Sequence, residues 1–418
     1  MIEKNIAHCI WLKDQSLQKL LTVLSQDNEE ARIVGGAVRN ALLGESVNDI
    51  DIATTTLPDV TIKRVEAAGF KAIPTGIEFG TVTVVAYGRP YEVTTLRADV
   101  ETDGRHAKVV FGRDWQEDAK RRDFTVNALY ADQNGEVYDY VGGLDDIATR
   151  NIRFIGEAQE RIREDYLRIL RFFRFFAYYG NGRPDADAVK ASARLREGLL
   201  QLSSERVWNE LKKILAAPDP SRALLWMRQT GVLTTVLPES ERWGIQAIHS
   251  LIETGKAYHW IDDPLLRLIS ILPPDQVRMK EMAKRLKFSK AETARIVEWA
   301  NCEVVSNDCT ESDLKKLIYE YGRQSVMDRL YIAMALTREK IVHDPQAMGA
   351  LKQYSELLSF AQKWVIPTFP LKGEALLHKG FSEGPELGAA LKKLEAYWVN
   401  NNFYPDSDVL LKKLRELE

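Results

Sequence analysis

The chain has 418 residues, of which 45% are hydrophobic and 28% are charged, and its formal net charge is −3. This length exceeds what a single hydrophobic core usually organises, so we expect two to four domains in an ordinary globular protein. The small net charge does not indicate a strongly basic nucleic-acid-binding domain. A basic groove can be balanced by acidic residues elsewhere, so composition neither supports nor excludes an RNA partner.

The three cysteines, Cys9, Cys302 and Cys309, are odd in number and have no CxxC spacing. Neither a disulfide framework nor a zinc site is indicated, and we expect no disulfide partner and a reducing, cytoplasmic setting. The first residues lack a secretory pattern, and no apolar run approaches the roughly 20 residues that a spanning helix needs. We therefore expect neither secretion nor membrane insertion.

Residues 1–150 mix strand and helix patterns, which predicts an α+β head domain with a mixed sheet. Short β-branched runs predict strands, and longer segments with helical spacing predict helices between them. The predicted strands lie in ARIVGG, NDIDIATTT, GTVTVVAYG, YEVTTLR, AKVVFG and GEVYDYVGG, and the predicted helices are QSLQKLLTVL, PDVTIKRVEAAG and WQEDAKRRDFTVNALYA.

From Glu157 onward strand signals almost vanish, and amphipathic helical patterns follow one another between prolines and glycines. The rest of the chain should therefore be all-helical. Proline clusters suggest boundaries inside it, although prolines also separate helices within one domain. We divide it into a neck at 151–217, a body at 218–345 and a tail at 346–418.

The segment GGAVRN indicates a phosphate-binding turn. Gly35 and Gly36 follow an apolar run and precede a helical pattern, so backbone amides at the helix start can face a phosphate without interference from a Cβ. Arg39 follows in the first turn, where its guanidinium can clamp a triphosphate. A glycine pair alone is weak evidence, because an ordinary turn with a surface arginine has the same sequence.

Two aspartates, Asp49 and Asp51, follow in DIDIA. On a strand their side chains would project from one face, and two carboxylates so close together suit Mg²⁺. The alternative is a solvated aspartate pair, but Ile50 and Ile52 would pack the opposite face and fix the pair. Glu92, in another β-rich run, is the candidate third carboxylate of a two-metal site, and an exposed strand residue is the equally plain alternative.

These residues, with the strings TGIEFGTVTVV, DGRHAKVVFG, RRDFTVNALY, YVGGLDDI, EDYLRILRFFRF, SSERVWNELKKIL and PLKGEALLHKGFSEGPELG, resemble the bacterial class II tRNA nucleotidyltransferases. These are the CCA-adding enzymes of the polymerase-β-like superfamily, and bacterial poly(A) polymerases are close relatives. The resemblance covers most of the chain, and the order and spacing of the strings are specific. It implies a polymerase-β-like nucleotidyltransferase head followed by a helical neck, body and tRNA-binding tail.

The resemblance implies template-independent addition of C, C and A to the tRNA 3′ end from CTP and ATP by two-metal nucleotidyl transfer. Asp49, Asp51 and Glu92 are the catalytic candidates, with Asp49 and Asp51 as metal ligands. Arg122 matches a nucleotide-contacting arginine of the family. Asp123, with Asn127, falls in a motif associated with sugar recognition.

The string EDYLRILRFFR carries the base-selecting residues that the resemblance implies. We expect Asp165 and Arg168 to share one helix face. A carboxylate accepts from the exocyclic amine of C or A, where U and G present a carbonyl, and a guanidinium donates to ring acceptors. Arg171 and Arg174 continue this face as further nucleotide contacts. Salt bridging on an exposed helix is the alternative.

The chain departs from the family pattern at two positions. The family commonly has aspartate at the position of Asn40 and histidine at that of Phe79. The loop DGRHAKVVFGRD resembles the flexible loop linked to switching from C to A, so its presence favours complete CCA addition over CC-only addition. The sequence also leaves open a poly(A) polymerase and a catalytically silent RNA-binding relative, and SSERVWNELKKIL has a structural role by default.

Overall fold

A computed structural model describes residues 4–103, 106–240 and 246–414. The chain divides into two compact units, Met1–Pro238 and Glu239–Glu418. The finer division into a head, neck, body and tail stays a prediction.

The first unit begins with an α+β part and continues with helices, which confirms the predicted fold class. The elements of its α+β part are α1 (Gln15–Leu24), β1 (Ala31–Val34), α2 (Gly36–Leu43), β2 (Asp51–Thr54), α3 (Pro58–Ala67), β3 (Lys71–Gly76), β4 (Thr81–Ala86), β5 (Arg89–Thr95), β6 (Arg97–Asp103), β7 (His106–Phe111), α4 (Trp115–Lys120), β8 (Leu129–Ala131), β9 (Val137–Asp139) and α5 (Gly143–Thr149). Its later helices are α6 (Ala158–Glu164), α7 (Leu167–Tyr179), α8 (Ala186–Leu195), α9 (Ser204–Leu215), α10 (Ser221–Gln229) and α11 (Val232–Val236).

Seven strands form one sheet in the order β3-β4-β5-β2-β1-β8-β9, and β6 and β7 form a separate hairpin. Strands β2 and β5 run parallel, whereas the other neighbours in the sheet are antiparallel, so the sheet is mixed as predicted. Strand β2 lies between β5 and β1, and its Ile52 and Ala53 are buried. The start of β2 is thereby fixed on both sides.

The predicted helix over 115–131 is wrong beyond Lys120. Helix α4 ends there, a short 3₁₀ turn covers Thr125–Asn127, and β8 begins at Leu129. Strand β8 pairs with both β1 and β9, and all its side chains are buried, so tertiary pairing overrides the helical spacing. Strands β3 and β6 were also not predicted. The proline in β3 is tolerated because β3 is an edge strand.

Within the described ranges, the second unit contains α-helices and no β-strand, as predicted. These helices are α12 (Gln246–Tyr258), α13 (Pro264–Ser270), α14 (Gln276–Arg285), α15 (Lys290–Asn301), α16 (Glu311–Tyr321), α17 (Arg323–Lys340), α18 (Ala347–Lys363), α19 (Gly373–Leu377), α20 (Pro385–Asn400) and α21 (Ser407–Leu414). One apolar cluster joins residues of α16, α17 and α18, and another joins Leu376, Leu394 and Leu410. Among the described helices, none has the length and apolar sequence needed to cross a membrane.

A buried ion pair ties α15 to α17. Asp328 is fully buried, and Arg295 donates to both of its oxygens at 2.9 and 2.8 Å. Gln324 donates to the same carboxylate at 2.9 Å, and Asp263 lies 2.6 Å from the Arg295 guanidinium. Burial alone would lower the pKa of Arg295, but the bonds and charge of Asp328 outweigh it and raise the pKa. Burial also raises the pKa of Asp328, against the opposing charge and hydrogen bonds of Arg295, so the contact is costly to bury and depends on its complete set of hydrogen bonds.

We predict that Asp328→Ala destabilises the second unit by about 3 kcal/mol, because it leaves a buried guanidinium short of its main partner. Native-state hydrogen exchange of amides in α15 and α17 would measure the loss. The control is Glu356→Ala, which removes an exposed pair with Lys352 at 3.8 Å and should cost less than about 0.5 kcal/mol. Equal losses in the two variants would contradict the prediction.

Candidate functional site

The turn between β1 and α2 needs glycine at its first position. Gly35 has φ 71° and ψ −116°, a conformation that side chains rarely adopt, and a Cβ there would lie 3.3 Å from the Asn127 carbonyl oxygen. Gly36 is the first residue of α2, and a Cβ there would meet the Arg39 guanidinium at 3.7 Å. The backbone constraint therefore falls on Gly35, whereas Gly36, predicted to bind the nucleotide, opens the helix.

A cavity of about 530 Å³ opens in front of this turn. Its lining contains all the nucleotide-binding residues expected from the sequence, together with Asp51. The lining residues are Gly35, Gly36, Arg39, Asp51, Arg122, Asp123, Asn127, Asp165, Leu167, Arg168, Arg171, Arg174, Phe175 and Arg206. Asp49 and Glu92 are not part of this lining.

Six arginines and three aspartates line the cavity, so the lining favours an anion. Five of the arginines form ion pairs: Arg122 with Asp118, Arg168 with Glu164, Arg171 with Asp123, Arg174 with Glu210 and Arg206 with Asp165. Within the described part of the chain, the sixth, Arg39, has only neutral acceptors. Its charge is therefore the least compensated in the cavity.

Arg39 is buried, with 6% of its surface exposed, and several contacts hold its guanidinium in place. It donates to Asn127 Oδ1, to Asn40 Oδ1 at 2.9 Å and to the Tyr179 hydroxyl at 2.8 Å. Its guanidinium carbon also lies 4.1 Å from the centre of the Tyr179 ring. Burial lowers the pKa of Arg39, and the hydroxyl of Tyr179 opposes that change. A fixed, desolvated cation of this kind suits a phosphate oxygen.

Asn40, at a position where the family commonly has aspartate, makes two hydrogen bonds that an aspartate could not both make. Its Oδ1 accepts from Arg39, while its Nδ2 donates to the Ser46 carbonyl at 2.7 Å. An ionised aspartate could accept from Arg39 but could not donate to Ser46. The amide thus orients Arg39 and also fixes the segment between α2 and β2. The other departure, Phe79, lies beside the β6–β7 hairpin, with its ring 5.9 Å from the Arg97 guanidinium.

Asp123 connects the 3₁₀ turn to α7. It accepts from Asn127 Nδ2 at 3.2 Å and from Arg171 Nε at 2.8 Å. Burial would raise the pKa of Asp123, but the charge and hydrogen bonds of Arg171 outweigh it and lower the pKa. Arg122 donates to Asp118 at 3.0 Å, and the charge of Asp118 raises the pKa of Arg122 against the effect of burial. Both cavity residues are ionised at neutral pH.

The expectation that Asp165 shares a helix face with Arg168 is wrong. Helix α6 ends at Glu164, Asp165 has extended backbone angles, and α7 begins at Leu167. The Asp165 carboxylate accepts from the Leu167 amide at 3.1 Å and from Arg206 at 2.6 Å, while Arg168 pairs with Glu164. The helical pattern is thus interrupted at Asp165 and Tyr166, between α6 and α7. Both Asp165 and Arg168 still line the cavity.

Two of the three predicted carboxylates, Asp51 and Glu92, lie on the neighbouring strands β2 and β5. Strand β2 begins at Asp51, so Asp49 lies before the strand and not on it, contrary to expectation. Glu92 in β5 is the register partner of Asp51 in the parallel pair. Partial desolvation and the charges of Glu92 and Asp49 raise the pKa of Asp51, although Arg122 opposes them. The charge of Arg122 thus compensates only part of the effect of burial and of the two neighbouring carboxylates on Asp51.

The donor chemistry of these three carboxylates fits a hard divalent cation, because a cation would relieve the repulsion that raises the pKa of Asp51. The side chains are not arranged as a ready-made metal site. Among the described residues, no three His, Cys, Asp or Glu side chains form such a group.

Sequence reasoning missed Arg206, Tyr179, Asp118 and Glu210. Arg206 and Glu210 lie in SSERVWNELKKIL, a segment assigned a structural role, and they reach the cavity residues from α9. The high charge of an otherwise amphipathic helix was the only local signal. Tyr179 ends an aromatic run that predicts core packing, and nothing local indicates that its hydroxyl meets Arg39.

Comparison with known proteins identifies the family. The sequence matches the family described as "Poly A polymerase head domain" over residues 31–153 and that described as "Probable RNA and SrmB- binding site of polymerase A" over residues 183–243. It is 33% identical over 412 residues to the mitochondrial CCA tRNA nucleotidyltransferase 1 of Mus musculus, covering 96% of this chain and 90% of that protein. The chain belongs to the CCA tRNA nucleotidyltransferase family.

Bacterial members of the CCA tRNA nucleotidyltransferase family are similarly close. The CCA-adding enzyme of Streptococcus sanguinis is 34% identical, with 93% of each chain covered. A crystal structure of the Bacillus stearothermophilus CCA-adding enzyme in complex with CTP matches with a TM-score of 0.73, 26% identity and 96% coverage of both chains. The Thermotoga maritima enzyme complexed with tRNA shares the fold, with a TM-score of 0.67 at 20% identity. Membership implies use of a divalent metal.

We predict that Asp51→Asn stabilises the metal-free protein at pH 7. The folded-state pKa of Asp51 is raised above its ordinary value of 3.8, so the folded protein holds the proton more tightly than the unfolded chain. Stability is therefore lost as the pH rises through the raised pKa, and the asparagine avoids that loss. The Tm of the variant should exceed that of the wild type at pH 7, and the difference should shrink as the pH falls toward 3.8.

The control is Asp187→Asn, which changes a carboxylate whose side chain is 86% exposed and should leave the Tm unchanged. Added Mg²⁺ should raise the Tm of the wild type more than that of Asp51→Asn. A variant with the same Tm as the wild type at pH 7, or a lower one, would contradict the prediction.

Proposed function

We propose that this protein adds C, C and A to the 3′ end of tRNA from CTP and ATP, with the residues of the cavity in the roles set out below. One observation carries the assignment of roles. The cavity joins Arg39, a buried arginine that has no carboxylate partner among the described residues, to a fixed carboxylate, Asp165, and Asp51 lines the same cavity. A nucleoside triphosphate needs these three kinds of contact.

The triphosphate binds at the turn before α2. Arg39 contacts it through a guanidinium that donates to the neutral Asn127 and Tyr179, and Gly35 keeps the backbone close without a side chain. The ion-paired Arg122 adds a fixed positive charge. Asp49, Asp51 and Glu92 would hold Mg²⁺ ions, which when bound favour deprotonation of the tRNA 3′-hydroxyl and neutralise the leaving pyrophosphate.

The base is selected by Asp165 and Arg168 without a template. Arg206 and the Leu167 amide hold the Asp165 carboxylate, so it presents a fixed acceptor to the exocyclic amine of C or A. Glu164 holds Arg168 in the same way. The sugar lies near Asp123 and Asn127, whose polar groups can hydrogen-bond a 2′-hydroxyl. Arg171 positions Asp123 from α7, and Arg174, which Glu210 of α9 holds, is a further nucleotide contact.

The acceptor is tRNA, and the helical tail at 346–418 contributes to binding it. The relatives that match along nearly the whole chain are named for CCA addition, and one structure of the same fold is complexed with tRNA. The setting proposed from the free cysteines is the cytoplasm. Three relatives carry "mitochondrial" in their names, so family membership does not fix the compartment.

Primer extension tests this function against its alternatives. A tRNA ending at the discriminator base is offered CTP alone, ATP alone and both together. The proposed function gives two additions with CTP alone and three with both nucleotides. A long tract of A added from ATP alone indicates a poly(A) polymerase. A stop after two additions when both nucleotides are present indicates a CC-only enzyme. No incorporation with Mg²⁺ present indicates a silent RNA-binding relative, and each of these three results contradicts the proposal.

We predict that Asp49→Ala and Asp51→Ala each lower incorporation of both nucleotides by at least about 1,000-fold, because the metal contribution is electrostatic and large. Single-turnover primer extension measures the loss, and circular dichroism checks the fold. The control is Asp187→Ala, which should retain wild-type rates. Near-normal activity in either active-site variant would contradict the metal assignment.

We predict that Asp165→Asn admits UTP and GTP. An amide can turn its NH₂ toward the carbonyl that U and G present, whereas the carboxylate repels it. Discrimination against UTP relative to CTP should fall by about 10- to 100-fold, the range that one bidentate contact supplies. Arg206→Ala should lower discrimination less, because it frees the carboxylate without changing its chemistry. Discrimination equal to that of the wild type in Asp165→Asn would contradict the base-reading role.

A further inference from the structure

Helix α7 is attached to the head at two points on one face. Arg171, Phe175 and Tyr179 are spaced by four residues, so they follow one another along that face over about 12 Å. At the first point Arg171 donates to Asp123 at 2.8 Å. At the second, the hydroxyl of Tyr179 accepts from Arg39 at 2.8 Å.

These two points are also joined through the head. Arg39 donates to Asn127 Oδ1, Asn127 Nδ2 donates to Asp123 at 3.2 Å, and Asp123 accepts from Arg171. The hydrogen bonds and the helix together close a ring of contacts that starts and ends at Arg39. Linked bonds of this kind hold one another in place in a partly desolvated site.

The aromatic side chains fill the space between the two points. The rings of Phe175 and Tyr179 lie 6.0 Å apart with an angle of 26° between their planes. The Arg39 guanidinium carbon lies 4.1 Å from the Tyr179 ring and 5.3 Å from the Phe175 ring. Tyr179 therefore holds Arg39 both by its ring and by its hydroxyl.

We propose that Tyr179 is a positioning residue that fixes the Arg39 guanidinium for the triphosphate. It also couples Arg39 to α7, the helix that carries Arg168. This inference rests on the proposed function. Tyr179 does not line the cavity, so it acts through Arg39 and not by touching the nucleotide. Since CTP and ATP share the triphosphate, loss of the hydroxyl should affect both nucleotides alike. Loss of Asp165, in contrast, should change the choice of base.

The test is Tyr179→Phe, which keeps the ring and removes the acceptor. The control is Tyr404→Phe, the same change at a tyrosine that is 82% exposed. The kcat and KM are measured for CTP with tRNA ending at the discriminator base and for ATP with tRNA ending in CC. We expect kcat/KM to fall about tenfold for both nucleotides in Tyr179→Phe, which corresponds to roughly 1.4 kcal/mol. The ratio of the two values should not change, and Tyr404→Phe should match the wild type.

Two further readouts separate positioning from general stability. The inhibition constant of inorganic pyrophosphate, which carries no base, should rise by a similar factor in Tyr179→Phe. In an Arg39→Lys background, Tyr179→Phe should add no more than about a twofold loss, because the residue through which it acts is already altered. A lowered Tm with unchanged pyrophosphate inhibition, or a loss confined to one nucleotide, would overturn the inference.

The design also separates this inference from the function on which it rests. If the wild-type protein incorporates CTP and ATP while Tyr179→Phe does so equally well, the inference fails and the function stands. If the wild-type protein incorporates neither nucleotide, the proposed function itself fails. Full additivity of Tyr179→Phe with Arg39→Lys would also overturn the inference.

Discussion

The buried charge of Arg39 is the constraint on which the rest of the cavity depends. A guanidinium at 6% exposure has lost most of its water, and in the described residues its acceptors are two amides and a phenol. Such an arrangement is unfavourable in isolation, because neutral groups replace hydration only in part. It becomes favourable when an anion enters the cavity. The positive charge of Arg39 thus stays available for an anionic ligand.

The other arginines of the cavity solve a different problem. Each pairs with a carboxylate, and several of those carboxylates lie on a different element from the arginine: Asp123 holds Arg171, and Glu210 of α9 holds Arg174. Pairing lowers the net attraction for phosphate but fixes each donor in direction, which is what discrimination between bases requires. The same logic applies in reverse to Asp165, because Arg206 neutralises part of its charge while holding its oxygens in place. Each paired arginine or carboxylate therefore loses part of its net charge but is held in a fixed orientation.

The contrast explains which parts of the site could be predicted from sequence. The Gly35–Arg39 turn and the spacing of Asp49 and Asp51 are local patterns, and both indicated phosphate and metal chemistry before any fold was known. The α+β head and the helical remainder also followed from periodicity. The position of Asp165 did not, because the helical spacing over EDYLRILRFFR gives no sign of the interruption between α6 and α7, where the Asp165 carboxylate accepts from the Leu167 amide. Its partner Arg206 lies 41 residues further along the chain, a separation that only the packing of α7 against α9 resolves.

At the start of β2, an ionisable side chain with a raised pKa precedes the buried apolar residues of the strand. Interior residues of this strand, Ile52 and Ala53, are buried and bring apolar stabilisation, whereas Asp51 faces Glu92 across the parallel pair and has a raised pKa. Strand β2 is paired on both sides, so the sheet holds the Asp51 carboxylate in a position where its negative charge is disfavoured. Arg39 at the start of α2 is maintained in the same way by the closed ring through Asn127 and α7. Two groups of opposite sign are thus each kept poorly compensated by rigid surroundings. In the function proposed above, a metal-bound triphosphate would relieve both at once, because its phosphates would contact the guanidinium and its cations would contact the carboxylates.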